Sequence, residues 1–385
     1  MDSGAVSHSL SRTKVAIYGL TSEGYKLAAE VADKAQVTII DESLQMASDL
    51  DAQFLKKNPV LMDLMGEERF LDLKPLGRVL EEAQVVFFVP KLRRPAEESL
   101  IEGGTKLRDL SRYLSEGVTL VNCLPTGPGG NSENIMMVEK QTGLRVGGTL
   151  TYAYMPLGPR EAEPAVVAQA GTGEKGLLHA LGFVGTSQNI FSAELEYSAT
   201  VLAKAVGSVT EIELARRARE ARVSISKGSE LYIDEFSKYL YELKAIQASE
   251  DTGESISYLA GAALKSFDNY VRYVVDEARE VLKEKQLKAS RTKITLLWSL
   301  DTYEMRGERL QVADGIQQRL RDYVTDVEIV SAAKFKAGSD VLDPLKHNVL
   351  IVCSKEDQEA VKHSRKGQRN TEVTVVSATA GLGRE

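Results

Sequence analysis

The apolar positions of this chain come in two rhythms, and the change between them divides it. Near the start, an apolar run from Val15 to Tyr18 enters a glycine turn, a helical pattern follows through Ala32, and a second apolar run, Val37 to Ile40, ends on Asp41. That order predicts a βαβ unit. Strand-like runs continue to alternate with helical ones: Val85 to Val89, a helix from Glu98 to Glu116, Val118 to Leu124, then a helix from Asn131 to Thr142. Thr149 to Met155 and Ala165 to Ala170 read as further strands. Parallel neighbours need a covering crossover, so this alternation predicts a doubly wound parallel sheet.

Between Phe191 and about Ala289 the pattern is helical throughout. The predicted helices are Phe191 to Arg222, Leu231 to Ala248 and Ile256 to Lys285, with a polar turn from Ser249 to Glu254 between the last two. Ala199, Ala203 and Gly207 lie four apart, a small-residue stripe that suits close approach of another helix. A subunit interface, and hence a homodimer, is the expectation. From Lys293 strand-like runs return at Ile294 to Trp298, Val327 to Val330, Val349 to Val352 and Glu372 to Val376, with helical patterns at Leu310 to Tyr323 and Glu356 to His363. The expected class is therefore α/β: a disordered tail at 1–12, a Rossmann-like dinucleotide-binding domain at 13–190, a central all-helical dimerisation region at 191–290, and a second, smaller Rossmann-like domain at 291–385.

Charge and composition narrow the function. With 48 basic and 55 acidic residues the net charge is −7, so no global field draws the chain to nucleic acid or to an anionic membrane. The two cysteines, Cys123 and Cys353, lie in apolar runs and read as buried thiols. The four histidines have no ligand spacing, so no metal site is assigned. No apolar stretch reaches the roughly 18 residues needed to span a bilayer, and the start of the chain lacks a signal-like apolar segment. A cytoplasmic protein is expected.

The first turn carries the cofactor chemistry. Gly19 and Gly24 hold the first and third positions of G-x-G-x-x-G, while Thr21 stands where the second glycine lets backbone approach a pyrophosphate. Ser22 completes the candidate turn. Asp41 lies about 17 residues past Gly24, near the usual spacing of about 20 for an acid that holds a ribose. Glu23 opposes this reading, because its carboxylate would sit where an anionic phosphate binds a helix N-terminus. Two other glycine-rich pieces read as turns: PTGPGGN at Pro125 to Asn131, with Asn131 or Ser132 as N-cap and a phosphate cradle as the alternative, and GTGEKG at Gly171 to Gly176.

The order of VAIYGLTSEG, VVFFVP at Val85 to Pro90, LVNCLPTG at Leu120 to Gly127, TGLRVGGTLTYAYMP at Thr142 to Pro156, AELEYSATVLAKA on the long helix and TKITLLWSLDTYEMRG at Thr292 to Gly307 resembles the UDP-glucose/GDP-mannose dehydrogenase family. The likeness covers nearly the whole chain. It implies NAD in the first domain, a nucleotide or nucleotide-sugar in the last, and subunits joined by the central helix. By the same likeness Pro90 and Lys91 fall on the family's V-P-T-P turn and Cys123 on its S-T-V-P-P-G turn, near the cofactor. Arg306 falls on the arginine of its D-D-x-R segment, as a substrate contact, and Trp298 replaces a glycine where nucleotide phosphate would approach.

The reaction centre departs from the family's. A primary sugar alcohol becomes a carboxylate there through a thiohemiacetal on cysteine, which needs a thiolate, a lysine and a glutamate. No cysteine lies between Asn189 and Ser290, Leu157 stands at the glutamate position with Glu161 or Glu163 reachable by a small shift, and Tyr197, Val201 and Gly207 stand at the first lysine, the asparagine and the second lysine. Three readings follow. The chain is a degenerate homologue that retains NAD or nucleotide binding, an active NAD-dependent oxidoreductase of altered chemistry with Tyr197 or a nearby acid as base, or a ligand-free structural dimer.

Overall fold

The computed structural model describes residues 13–61, 73–95, 97–158, 167–170, 176–223, 231–336, 341–365 and 373–380. The chain gathers into two compact units. The first takes the chain up to Leu92, Leu100–Tyr197 and Tyr303–Met305; the second takes Arg93–Ser99, Ser198–Thr302 and the chain from Arg306 onward.

In the first unit β1 (Thr13–Tyr18), α1 (Ser22–Val31) and β2 (Ala35–Asp41) form the expected βαβ unit, with Val15 paired to Val37 and Tyr18 to Ile40 in parallel register. Next come β3 (Met46–Leu50), α2 (Ala52–Lys57), β4 (Lys74–Pro75), α3 (Leu76–Glu82), β5 (Val85–Phe88), α4 (Glu98–Ser111), β6 (Thr119–Asn122), α5 (Gly130–Thr142), β7 (Thr151–Tyr154), β8 (Ala168–Ala170) and α6 (Gly176–Leu181). The sheet runs β4-β3-β2-β1-β5-β6-β7-β8. β2, β1, β5, β6 and β7 are parallel neighbours, and the strand order reverses between β1 and β5. That reversal opens a crevice beyond the strand ends, where ligands of open α/β sheets bind.

Two edges of this sheet depart from the purely parallel expectation. β3 pairs antiparallel with β2, and β8 antiparallel with β7. The cause at the first edge is a tight turn: Asp41 to Met46 leaves no room for a crossover helix, and Gln45 takes φ +57 within it. β3 escaped the hydrophobic pattern because MASDL buries only Ala47 and Leu50 fully. The core strands are legible for the opposite reason, since β5 and β6 are buried at every position.

The second unit holds most of α7 (Ile190–Glu220), then α8 (Ile233–Ser237), α9 (Leu240–Ala248) and α10 (Glu254–Glu284). The pattern predicted one helix from Leu231 to Ala248; the helix breaks between Ser237 and Leu240. α10 is amphipathic, burying Ala260, Ala263, Phe267, Val271, Val274, Ala278 and Val281 at helical spacing. Phe267 stacks on Phe236 of α8 with ring centroids 4.8 Å apart.

β9 (Thr292–Leu297), α11 (Glu308–Arg321), β10 (Asp326–Val330), α12 (Ala332–Lys336), β11 (His347–Val352), α13 (Lys355–Arg365) and β12 (Val373–Ser377) complete this unit. Their sheet, β10-β9-β11-β12, is parallel throughout and reverses between β9 and β11. The expected tail at 1–12, Glu161 and Glu163, and most of the GTGEKG stretch lie outside the described residues.

Phe267→Ala is expected to cost about 3–5 kcal/mol, the range for a buried phenylalanine, because it empties the stack on Phe236. Urea unfolding followed by far-UV circular dichroism measures it, and a loss below about 1 kcal/mol would mean that this stack is not part of the core.

Candidate cofactor site

The crevice of the first sheet is built around a glycine that nothing else can replace. Gly19 takes φ +124, and a Cβ there would meet the Val89 carbonyl oxygen at 1.9 Å. Gly19 N donates to Ile40 O at 3.1 Å and Val89 N donates to Tyr18 O at 2.9 Å, so the turn is fastened to β2 on one side and to the end of β5 on the other. Gly24 also serves packing, since a Cβ there would come within 3.0 Å of Gly19 O and of Thr21 Oγ1. The first and third glycines of the fingerprint thus do what their positions require.

Thr21 has a different task. It is the N-cap of α1: its Oγ1 accepts from Gly24 N at 3.0 Å and donates to Val89 O at 3.3 Å. The next amide, Ser22 N, donates to Tyr303 O at 2.8 Å. Glu23 is fully buried, and its Oε2 accepts from Met305 N at 2.9 Å. Two first-turn amides of α1 are therefore bonded to protein, and a carboxylate lies beside them. Tyr303 O and Met305 N thus lie at the N-terminus of α1, the end of a helix that suits an anion.

The remaining first-unit candidates frame this turn. Asp41 ends β2, where its Oδ1 accepts from Ser43 N at 2.9 Å, from Leu44 N at 3.3 Å and from the Ser43 hydroxyl. It closes the turn into β3. Its neighbour Glu42, which the spacing argument overlooked, is buried and accepts from Lys91 N at 2.8 Å and Lys106 Nζ at 3.1 Å. Pro90 and Lys91 follow β5, and the Lys91 ammonium lies 4.4 Å from the Tyr303 ring centroid. Leu92 N donates to Met305 O at 2.7 Å. Cys123 sits past β6, fully buried, and burial pushes its thiol well above the ordinary range.

The loop after β6 contains a second filled cradle. Sequence reading placed Asn131 or Ser132 at the cap of α5; the cap is Gly129, in the left-handed region at φ +86. The loop's polar groups converge on Glu194 of α7, which is 1% exposed. Its carboxylate accepts from Gly129 N at 2.8 Å, Asn131 N at 2.7 Å, Asn131 Nδ2 at 2.8 Å and Thr126 Oγ1 at 3.2 Å. Asn131 in turn accepts from Asn122 Nδ2 at 2.9 Å and from the Tyr152 hydroxyl at 2.7 Å. A side chain from a distant helix thus supplies the acceptor oxygens that a phosphate would bring. Burial raises the Glu194 pKa, and the four donors oppose that rise. Tyr197, one turn further along α7, is 6% exposed.

In the second unit the corresponding crevice is also occupied by protein. Trp298, just past β9, is buried and donates Nε1–H to Asp234 Oδ1 at 2.7 Å; Arg309 NH1 donates to the same oxygen at 2.7 Å. Asp357 is buried at the start of α13 and accepts from the Ser299 amide at 3.3 Å and the Ser299 hydroxyl at 2.7 Å, and burial raises its pKa. Arg306 is buried in an ion pair with Glu242. Among the described residues no group of three or more His, Cys, Asp or Glu is placed to hold a metal, and no helix is long and apolar enough to cross a membrane.

No protein-family model matches the sequence, and no curated protein does. Solved structures match along most of the chain. A UDP-glucose dehydrogenase from Pyrobaculum islandicum aligns over 98% of this chain and 96% of its own, with 15% identity and a TM-score of 0.60. A UDP-D-ManNAc dehydrogenase from Pyrococcus horikoshii aligns over 89% and 95%, at 14% identity and a TM-score of 0.58. A UDP-N-acetyl-mannosamine dehydrogenase from Staphylococcus aureus aligns over 94% and 98%, at 12% identity and 0.54. The chain has the fold of the nucleotide-sugar dehydrogenases.

Glu194→Ala leaves four donors without their acceptor and is expected to cost about 3 kcal/mol or more. Its pH signature has a definite sign. The folded pKa of Glu194 is raised, so its contribution is fully present below the ordinary value of 4.5 and is lost as pH rises through the folded value. Asp357 contributes with the same sign from its ordinary value of 3.8. Urea midpoints of wild type and Glu194→Ala across pH 4–8 test this, and parallel profiles would show that Glu194 does not titrate in the cradle.

Proposed function

We propose that this chain is a catalytically silent relative of the nucleotide-sugar dehydrogenases, a cytoplasmic dimer that keeps the NAD-binding turn of that fold but not its sugar oxidation. The observation that carries the reading is a conjunction. The strand-to-helix turn from Gly19 to Gly24 keeps its required close approach to β5 and lies at the end of the strand pair that leads to Asp41, while the stretch that would hold the nucleophile contains no cysteine. Both thiols of the chain are buried, and burial raises the pKa of each. At neutral pH such thiols are protonated and poor nucleophiles.

Tyr197 supports no altered hydride chemistry, because a general base must reach its substrate and this side chain is 6% exposed. The nucleotide role of the second unit is weakened in the same way. Its arginine is already paired with Glu242, and Trp298 with Asp234 takes the place of a backbone-lined phosphate site. The dimer rests on α7, where Phe191, Leu195, Ala199, Ala203 and Gly207 recur every four residues and are all exposed. Such a stripe lets two helices approach closely, and water leaves apolar surface as they do.

No reduction of NAD is expected with UDP-glucose or UDP-N-acetylmannosamine, followed at 340 nm. Turnover that disappears in Asp41→Asn would overturn the reading; asparagine keeps an oxygen for the Ser43 and Leu44 amides and removes only the charge. For the dimer, sedimentation equilibrium should give twice the chain mass for wild type and a monomer for Ala203→Arg. A monomeric wild type at micromolar concentration would refute the interface.

A further inference from the structure

The disagreement between a turn that keeps the first and third glycines of the dinucleotide fingerprint and its filled phosphate position has a specific cause. Tyr303 to Met305 lie in the irregular stretch between β9 and α11, yet they pack as part of the first unit. Their backbone supplies one acceptor where a bound pyrophosphate would place an oxygen, and one donor that a pyrophosphate could not supply. Tyr303 O takes the Ser22 amide at 2.8 Å, and Met305 N satisfies the buried Glu23 carboxylate at 2.9 Å. Two further contacts hold the segment down: Leu92 N donates to Met305 O at 2.7 Å, and the Tyr303 ring lies under the Lys91 ammonium at 4.4 Å. Glu304 and Met305 are buried, Met305 fully.

We propose that Tyr303 to Met305 act as a tethered internal occupant of the dinucleotide turn, so that the site is closed in the resting chain and takes a dinucleotide only when this segment withdraws. The proposal rests on the reading of Gly19 to Gly24 as an NAD turn and adds its regulation. The chemistry of the contacts explains why a carboxylate is tolerated at position 23. Beside a phosphate, Glu23 would repel; beside the Met305 amide, it is the acceptor that a buried N–H requires. A helix N-terminus that meets a peptide carbonyl loses its affinity for anions without being destroyed. The segment is covalently joined to the chain, so it competes at a high effective concentration and needs no strong contacts of its own. Withdrawal releases the Ser22 amide from Tyr303 O and takes the Tyr303 ring off the Lys91 ammonium, and an amide and an ammonium both suit a diphosphate.

The test uses the full-length protein and calorimetric titration with NAD and with ADP. Met305→Pro removes the N–H that Glu23 accepts, and Tyr303→Ala removes the ring over Lys91. Each should lower the apparent Kd for NAD about tenfold or more relative to wild type, because affinity scales with the fraction of chains whose site is open. Glu23→Gln separates charge from occupancy, since it keeps an oxygen for Met305 N while removing the negative charge. In wild type, hydrogen–deuterium exchange over the peptide that contains residues 303–305 should speed up when NAD is bound. Circular dichroism and melting curves establish that each variant is folded. Should Met305→Pro fail to fold, Tyr303→Ala and the exchange measurement on wild type decide.

Equal NAD affinity in wild type and both segment variants would overturn the occupant and leave the NAD reading standing. A full gain from Glu23→Gln with none from Tyr303→Ala would also overturn it, in favour of simple charge repulsion. No binding by any folded variant would sink both the occupant and the dinucleotide reading.

Discussion

Parallel α/β architecture leaves backbone amides pointing out of the strand-to-helix turns, and those amides must be satisfied. In enzymes of this fold class a phosphate-bearing ligand commonly does so. Here the protein supplies its own groups. A peptide carbonyl meets the Ser22 amide beside the buried Glu23, the Glu194 carboxylate meets the loop before α5, and Asp357 meets the Ser299 amide beyond β9. Each of these groups comes from far along the chain, so long-range packing completes every turn.

These internal acceptors differ in what they cost. Glu194 gives four acceptor contacts in return for desolvation, and the rise in its pKa says that desolvation is the larger effect on the proton. Removing one partner of such a buried set costs more than the set contributes, because the donors stay behind in a place water does not reach. Glu194 therefore ties α7 to the loop after β6 firmly. The contacts at α1 are of another kind. Backbone groups of an irregular three-residue stretch meet the turn, and a stretch without its own helix or strand bonds can leave without unfolding an element. The firm cradle is structural, and the looser one is the place for regulation.

How far the chain could be read without its structure depended on where the information sits. Val85 to Phe88 and Thr119 to Asn122 are buried at every position, and the apolar residues VVFF and the Leu120–Val121 pair announced central strands. α10 announced itself by its period. β3, with polar residues on an edge, did not, and the antiparallel return from β2 was hidden by the same polarity. The single helix read from Leu231 to Ala248 missed its break, since apolar residues continue through it. At the turn into α1, the close-packed Gly19 and Gly24 were legible because motif spacing is local. Glu42, Glu194, Tyr303 and Met305 were not, because their partners lie 49 to 282 residues away.

The sequence by itself determined the alternation of strands and helices, the change to helix alone in the middle, the glycine that only a close backbone approach requires, and the absence of any cysteine between Asn189 and Ser290. All of these are local properties, set by side-chain period, by the missing Cβ of glycine and by residue identity. Tertiary structure alone decided which acids fill the anion cradles, that Arg306 is consumed by Glu242, and that Tyr303 to Met305 close the turn at α1. Such pairings depend on which distant groups meet in space, and no periodicity along the chain encodes them. Whether a strand-to-helix turn is open to a ligand is thus settled by the fold and not by the motif.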